Sequence, residues 1–324
     1  MNYIQQAYKG QLGFWKYLII PGLFLALMIL NFIAIAVLDL DQNELMKKEI
    51  ESKGENLVLI ENMILFVVFL TLLFLWVKFV HKQSLTSLTT SRKKIDWKRF
   101  WFSFTLWGAI TAIFVLIGYV LEPESMEWNF KPNKFLGLVL IGIIMIPIQT
   151  SFEEYLFRGY LMQGIGAKFK SRLIPLIVTS LIFGLLHGAN PEVEKLGYII
   201  MVYYIGTGLF LGMITLLDEG LELALGFHAA NNLIGALLVT ADWTAFQTNS
   251  LFKSTAEPNV FSDILIPVLI FFPVLLYIFS KKYKWADWRE KLTASVEVPV
   301  DNSPIDYITG DSNTNTNSNN EVNF

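Results

Sequence analysis

The chain has 324 residues, 54% hydrophobic and only 16% charged, with a net charge of −3 and a mean hydropathy of +0.48. A soluble domain carries about 25% charged residues, and the apolar stretches here run without alternation, so the composition excludes a soluble domain and a β-barrel and describes an all-α polytopic membrane protein. The charge balance gives no electrostatic case for nucleic acid, and the absence of cysteine excludes disulfides, thiol nucleophiles and Cys-ligated metals.

Eight apolar segments follow in chain order, about eight transmembrane helices at ~1.5 Å per residue across a ~30 Å core. They run over 17–38, 57–80, 100–121, 135–161, 173–187, 198–217, 221–241 and 264–280. The first lacks a small-residue cleavage site and reads as a retained anchor. Lys82, Arg92, Lys93, Lys94, Lys98 and Arg99 follow segment two; Lys168, Lys170 and Arg172 follow segment four; Lys281, Lys282, Lys284, Arg289 and Lys291 follow segment eight. By the bias of Lys and Arg these loops and both termini face the cytoplasm, most simply across the plasma membrane. The short turn Asp218-Glu219-Gly220 between segments six and seven is acidic and carries little topological weight. Gly206, Gly208 and Gly212 give segment six a small-residue face suited to close helix packing. The chain divides into N-terminal segments (1–134), a motif-bearing core (135–241), a last loop and helix (242–292), and a polar tail (293–324). The tail, rich in Asn, Ser and Thr, is expected to be disordered.

Segment four holds charges where a bilayer disfavours them, in Gln149-Thr150-Ser151-Phe152-Glu153-Glu154-Tyr155-Leu156-Phe157-Arg158. A charge near the bilayer centre costs about 2.5–3.5 kcal/mol on insertion scales, so such residues are functional candidates. Glu154 and Arg158 are i,i+4 neighbours and can pair on one face, which leaves Glu153 about 100° away without that partner. A structural ion pair accounts for Glu154 and Arg158; Glu153 is then free to act as a general base. Pro147 should kink the helix and open room beside the carboxylates. Gln149, one turn before Glu153, is placed to bond a substrate or a neighbouring helix.

Segments five and seven each carry a histidine. Phe183 and His187 share one face, as do His228 and Asn232 in Gly226-Phe227-His228-Ala229-Ala230-Asn231-Asn232. Ala229 and Ala230 allow close helix approach, and Asn231 can bond a neighbouring helix. From the inner boundaries, Glu153 lies about 14 Å in, His187 about 22 Å and His228 about 10 Å. Helix tilt narrows that spread, and His187 fits least well.

Glu-Glu-x-x-x-Arg, Phe-x-x-x-His and His-x-x-x-Asn on three successive motif helices resemble the CAAX-protease and bacteriocin-processing family, also called type II CAAX prenyl endopeptidases or the ABI family. The resemblance covers roughly 135–238. It implies an intramembrane endopeptidase that hydrolyses peptide bonds of hydrophobic or lipidated substrates at the membrane lipid. Glu153 would activate a water and His187 would help to hold it. His228 and Asn232 would stabilise the oxyanion, and Glu154, Arg158 and Phe183 would support the site. Members are commonly called metalloproteases, and Glu153, His187 and His228 would be the ligands of a divalent metal such as zinc. No His-Glu-x-x-His is present, and a metal-free route uses the same residues. Other readings of the same cavity are a non-enzymatic scaffold or immunity factor, and a proton-coupled transporter; no inverted repeat supports the last.

Overall fold

The computed structural model describes residues 1–299. The polar tail beyond residue 299, expected to be disordered, lies outside the described residues. The helices are α1 (Phe14–Val37), α2 (Gln42–Lys53), α3 (Glu55–Phe79), α4 (Leu85–Thr89), α5 (Trp97–Leu121) and α6 (Pro132–Glu154). A π-helical stretch, Tyr155–Leu161, joins α6 to α7 (Met162–Phe169). Then come α8 (Leu173–Leu186), α9 (Pro191–Leu196), α10 (Met201–Asp218), α11 (Glu222–Leu238), α12 (Phe272–Tyr283) and α13 (Trp288–Thr293).

Six helices among the described residues are long and apolar enough to cross a membrane, so this is an integral membrane protein. All eight expected segments are helical, but they divide into six long spans and two shorter helices. Asn190-Pro191 ends one short helix, because a residue before proline leaves the α region; its apolar run closes at Ala189. The other, α11, ends where Val239 turns extended into a strand. The two shorter helices are the ones that carry the histidines.

The all-α reading holds apart from one small sheet. Strands β1 (Met126–Trp128), β2 (Val239–Thr240) and β3 (Phe252–Ser254) form it in the order β1-β3-β2, with β1 antiparallel and β2 parallel to β3. It caps the end of the bundle remote from the basic loops. Pro147 lies inside a continuous α6. The departure from α geometry begins directly after the glutamates, in the π-helical stretch; such stretches are frequent at functional sites.

α11 packs between α5 and α6, and α8 packs on α10. Glycine sets both approaches. A Cβ on Gly208 would meet the Ser180 carbonyl of α8 at 2.8 Å, and one on Gly226 of α11 would collide with the Phe100 carbonyl of α5. The small face of segment six is therefore a helix-packing surface. It presses α10 onto α8 and brings the Gly208 carbonyl within reach of Arg158.

The basic loops meet at one end of the bundle, and there the acidic turn finds its partners. Asp218 pairs with Arg92 at 2.8 Å and with Arg99, and accepts from Trp285 Nε1 at 2.9 Å. Glu222 pairs with Arg92 at 3.1 Å, and Glu219 with Arg172 at 2.5 Å. The N-terminal turn Ile4–Lys9 packs on α7. The first residues of the polar tail dock here as well, contrary to expectation. Arg172 N donates to the Ala294 carbonyl and Val296 N to the Lys170 carbonyl, and Val296 is buried against Tyr3 and Ile4. A single valine gives this stretch an apolar anchor that its overall polarity hides.

Candidate functional site

Glu154 and Arg158 are fully buried and paired at 2.9 Å, as the i,i+4 spacing predicts. The Arg158 guanidinium lies over the Phe183 ring at 4.1 Å, and its second terminal nitrogen donates to the Gly208 carbonyl at 3.4 Å. A cation taken out of water needs such partners, and three helices supply them. Phe183 thereby earns its place as the platform under Arg158, and its ring edge faces His228 at 6.0 Å between centroids.

His228 joins the two glutamates. Its Nδ1 is 2.8 Å from Glu154 Oε1, the same oxygen that Arg158 reaches. Its Nε2 faces Glu153 Oε2 across 3.7 Å. An ionised carboxylate only accepts, so Nδ1 carries the hydrogen and Nε2 is left facing Glu153. Glu153 Oε1 takes a 2.5 Å hydrogen bond from Gln149 Nε2, while Glu153 Oε2 is buried and takes none among the described residues. Asn232 donates from Nδ2 to Gln149 Oε1 at 3.0 Å. Gln149, Glu153, Glu154, Arg158, His228 and Asn232 thus form one connected group across α6, the π-helical stretch and α11.

His187 lies within electrostatic reach of Glu153, His228 and Arg158. It begins the 3-10 turn that follows α8. Its Nδ1 is 2.7 Å from the Phe183 carbonyl, and its ring stacks on Tyr204 at 4.6 Å between centroids. Among the described residues no hydrogen bond joins it to Glu153. Phe183 and His187 share a helix face, with ring centroids 4.7 Å apart.

Among the described residues no group of three or more His, Asp or Glu side chains is gathered as ligands would be. The hydrogen bonds of His228 Nδ1, His187 Nδ1 and Glu153 Oε1 leave both Nε2 atoms and Glu153 Oε2 uncommitted among the described residues, and metal-ligating histidines are commonly held through their other ring nitrogen in this way.

Three participants lay outside the expected site. Gln149 was visible as the residue one turn before Glu153, though its bond to Asn232 was not. Tyr204 carries no sequence signal toward His187. Trp107 of α5 donates from Nε1 to Asn231 Oδ1 at 3.0 Å, and nothing marks it among the nine tryptophans of the chain.

Comparison with known proteins agrees with the resemblance read from the motifs. Residues 132–234 match the Rce1-like family of type II CAAX prenyl endopeptidases. The chain is 32% identical over 165 residues to the uncharacterized protein YyaK of Bacillus subtilis (strain 168). The alignment takes in 51% of this chain and spans 55% of the length of that relative. No solved structure matches the chain.

Proposed function

We propose that this protein is an intramembrane endopeptidase of the CAAX-processing type, with Glu153 as the base that activates water. The observation that carries the reading is the facing pair Glu153 Oε2 and His228 Nε2, 3.7 Å apart, with the carboxylate oxygen accepting no hydrogen bond among the described residues. A water bonded to both would sit beside the pair, at the apex of a triangle with the two atoms. The match of 132–234 to the Rce1-like endopeptidases supports the same chemistry.

In this mechanism Glu153 takes a proton from the water as its oxygen attacks the scissile carbonyl carbon. The developing oxyanion is met by the second Nδ2 hydrogen of Asn232 and by His228 Nε2–H in the imidazolium form, which Glu154 balances from the Nδ1 side. Each such donor is worth about 3–4 kcal/mol in a water-poor site. Glu153 then passes its proton to the leaving amine, and the C–N bond breaks. His187, held by Phe183 and Tyr204, forms the outer wall of the cavity rather than binding the water.

The substrate is a hydrophobic or lipidated peptide end that reaches the site from the bilayer, either a prenylated CAAX protein or a peptide toxin. The basic end of the bundle faces the cytoplasm of the cell membrane. The test is single-turnover cleavage of quenched CAAX-type peptides, prenylated and unprenylated, by detergent-purified protein. Cleavage by wild type and none by folded Glu153→Ala is expected; retained turnover in that variant would overturn the assignment. A chelator arm checks the metal independently.

A further inference from the structure

One chain of hydrogen bonds enters the site from a helix that carries none of its motifs. Trp107 Nε1 donates to Asn231 Oδ1 at 3.0 Å, Asn231 Nδ2 to Asn232 Oδ1 at 3.1 Å, Asn232 Nδ2 to Gln149 Oε1 at 3.0 Å, and Gln149 Nε2 to Glu153 Oε1 at 2.5 Å. Every link points the same way. A carboxamide can turn over and exchange its oxygen for its nitrogen, so three amides in series have two self-consistent polarities. The ends choose between them. The indole N–H only donates, and an ionised carboxylate only accepts. Reversal would set the Asn231 amide hydrogens against the indole hydrogen and the Gln149 carbonyl against Glu153.

The two ends are not equally constant. Resting on the proteolytic reading above, Glu153 takes up a proton during turnover and ceases to be a pure acceptor. Trp107 does not change. It is buried, tilted against Phe227 at 4.7 Å between centroids and edge-on to Phe271 at 6.1 Å. Gly226 seats α5 closely enough on α11 for the indole to reach Asn231.

We propose that Trp107 is a positioning residue that, through Asn231, keeps the Asn232 amide turned with its N–H2 toward the site while Glu153 carries the proton. Asn232 spends one Nδ2 hydrogen on Gln149 and keeps the second for the substrate oxygen. Should the amide turn over, its carbonyl would face the developing oxyanion, and the hydrogen bond would become a repulsion. The polarity of the chain is therefore a condition for oxyanion stabilisation, set from α5.

A double-mutant cycle tests this, with Trp107→Phe, Asn232→Ala and the double variant measured on a quenched prenylated peptide. Trp107→Phe keeps an aromatic ring and removes the donor. It is expected to lower kcat about ten-fold, the weight of about one hydrogen bond, with KM changed less than about two-fold. In the Asn232→Ala background the same substitution should change the residual rate less than about two-fold, since the group it orients is gone. Equal losses in the two backgrounds, or full kcat in Trp107→Phe, overturn the proposal. Should Trp107→Phe fail to fold, Asn231→Asp serves instead. It still accepts from the indole but offers no hydrogen to Asn232 Oδ1, and it should lower kcat at unchanged KM only when Asn232 is present. A wild type that leaves every peptide intact overturns the proteolytic reading and this inference with it. Wild-type cleavage lost in Glu153→Ala upholds that reading, and the cycle then decides this inference alone.

Discussion

Glu154 Oε1 receives both Arg158, 2.9 Å away on its own helix, and His228 Nδ1, 2.8 Å away on α11. One carboxylate oxygen thus ties the ion pair of segment four to the histidine of segment seven. Glu154 does more than neutralise Arg158: it fixes which nitrogen His228 presents to the cavity. Replacing it by glutamine keeps the shape and removes the charge. Glu154→Gln should lower kcat by about 10²–10³ with a smaller change in KM, the pattern of an orienting carboxylate behind a histidine. Steady-state rates on the quenched peptide check this, and a kcat within about three-fold of wild type would reduce Glu154 to a structural partner.

Arg158 offers a stability test of the same pair. Removing one member of a buried ion pair costs about 3–5 kcal/mol, because the other charge stays buried without compensation. Arg158→Met should therefore unfold at markedly lower temperature in detergent. The double variant Glu154→Gln/Arg158→Met should recover part of that loss, since apolar replacement of the whole pair is often near neutral. Unfolding midpoints of the four proteins give the coupling, and additive losses would show that the two side chains act independently.

His81 supplies a pH dependence outside the membrane spans. It is fully buried in the loop after α3, with Nδ1 2.8 Å from the Gln11 carbonyl and Nε2 2.8 Å from the Tyr160 hydroxyl. Burial, with Lys16 nearby, pushes its pKa below the ordinary 6.5. The folded state therefore holds the neutral ring, while the unfolded chain takes up a proton as pH falls through about 6.5. Stability is complete above that pH and declines below it, until the folded histidine is itself protonated. His81→Gln should flatten the decline between pH 6.5 and lower values, read from unfolding midpoints across a pH series. An unchanged slope in the variant would place the sensitivity elsewhere.

The sequence made the spans, the three motifs and the Glu154–Arg158 pair legible, because each rests on order along one helix. What it hid lies between helices. That His228 binds Glu154 rather than only facing Glu153 depends on how α11 rotates against α6, which no spacing encodes. The place of His187 follows from where Pro191 stops α8, a boundary that shifts the imidazole out of bonding range of Glu153. Trp107 and Tyr204 were hidden for the same reason: each acts on a motif residue of another helix. The acidic turn was read by its topological weight alone, and its value lies in what it binds.

That turn makes the last test. Asp218 is buried and receives Arg92, Arg99 and the Trp285 indole from two separate parts of the chain. It locks the stretch from α4 into the start of α5, and the segment after α12, onto the end of α10. Both arginines keep some contact with solvent, so the loss on removing Asp218 should fall between the about 1 kcal/mol of an exposed pair and the about 3–5 kcal/mol of a fully buried one. The effect should also be local. Asp218→Asn keeps an acceptor for Trp285 and for one arginine, so it should loosen this end of the bundle without touching Gln149, Glu153, His228 or Asn232. The expected outcome is faster amide hydrogen exchange over residues 90–99 and 284–292, a modest drop in unfolding midpoint, and an unchanged KM. Exchange that rises equally in α6 and α11 would mean that the basic end and the site form one cooperative unit.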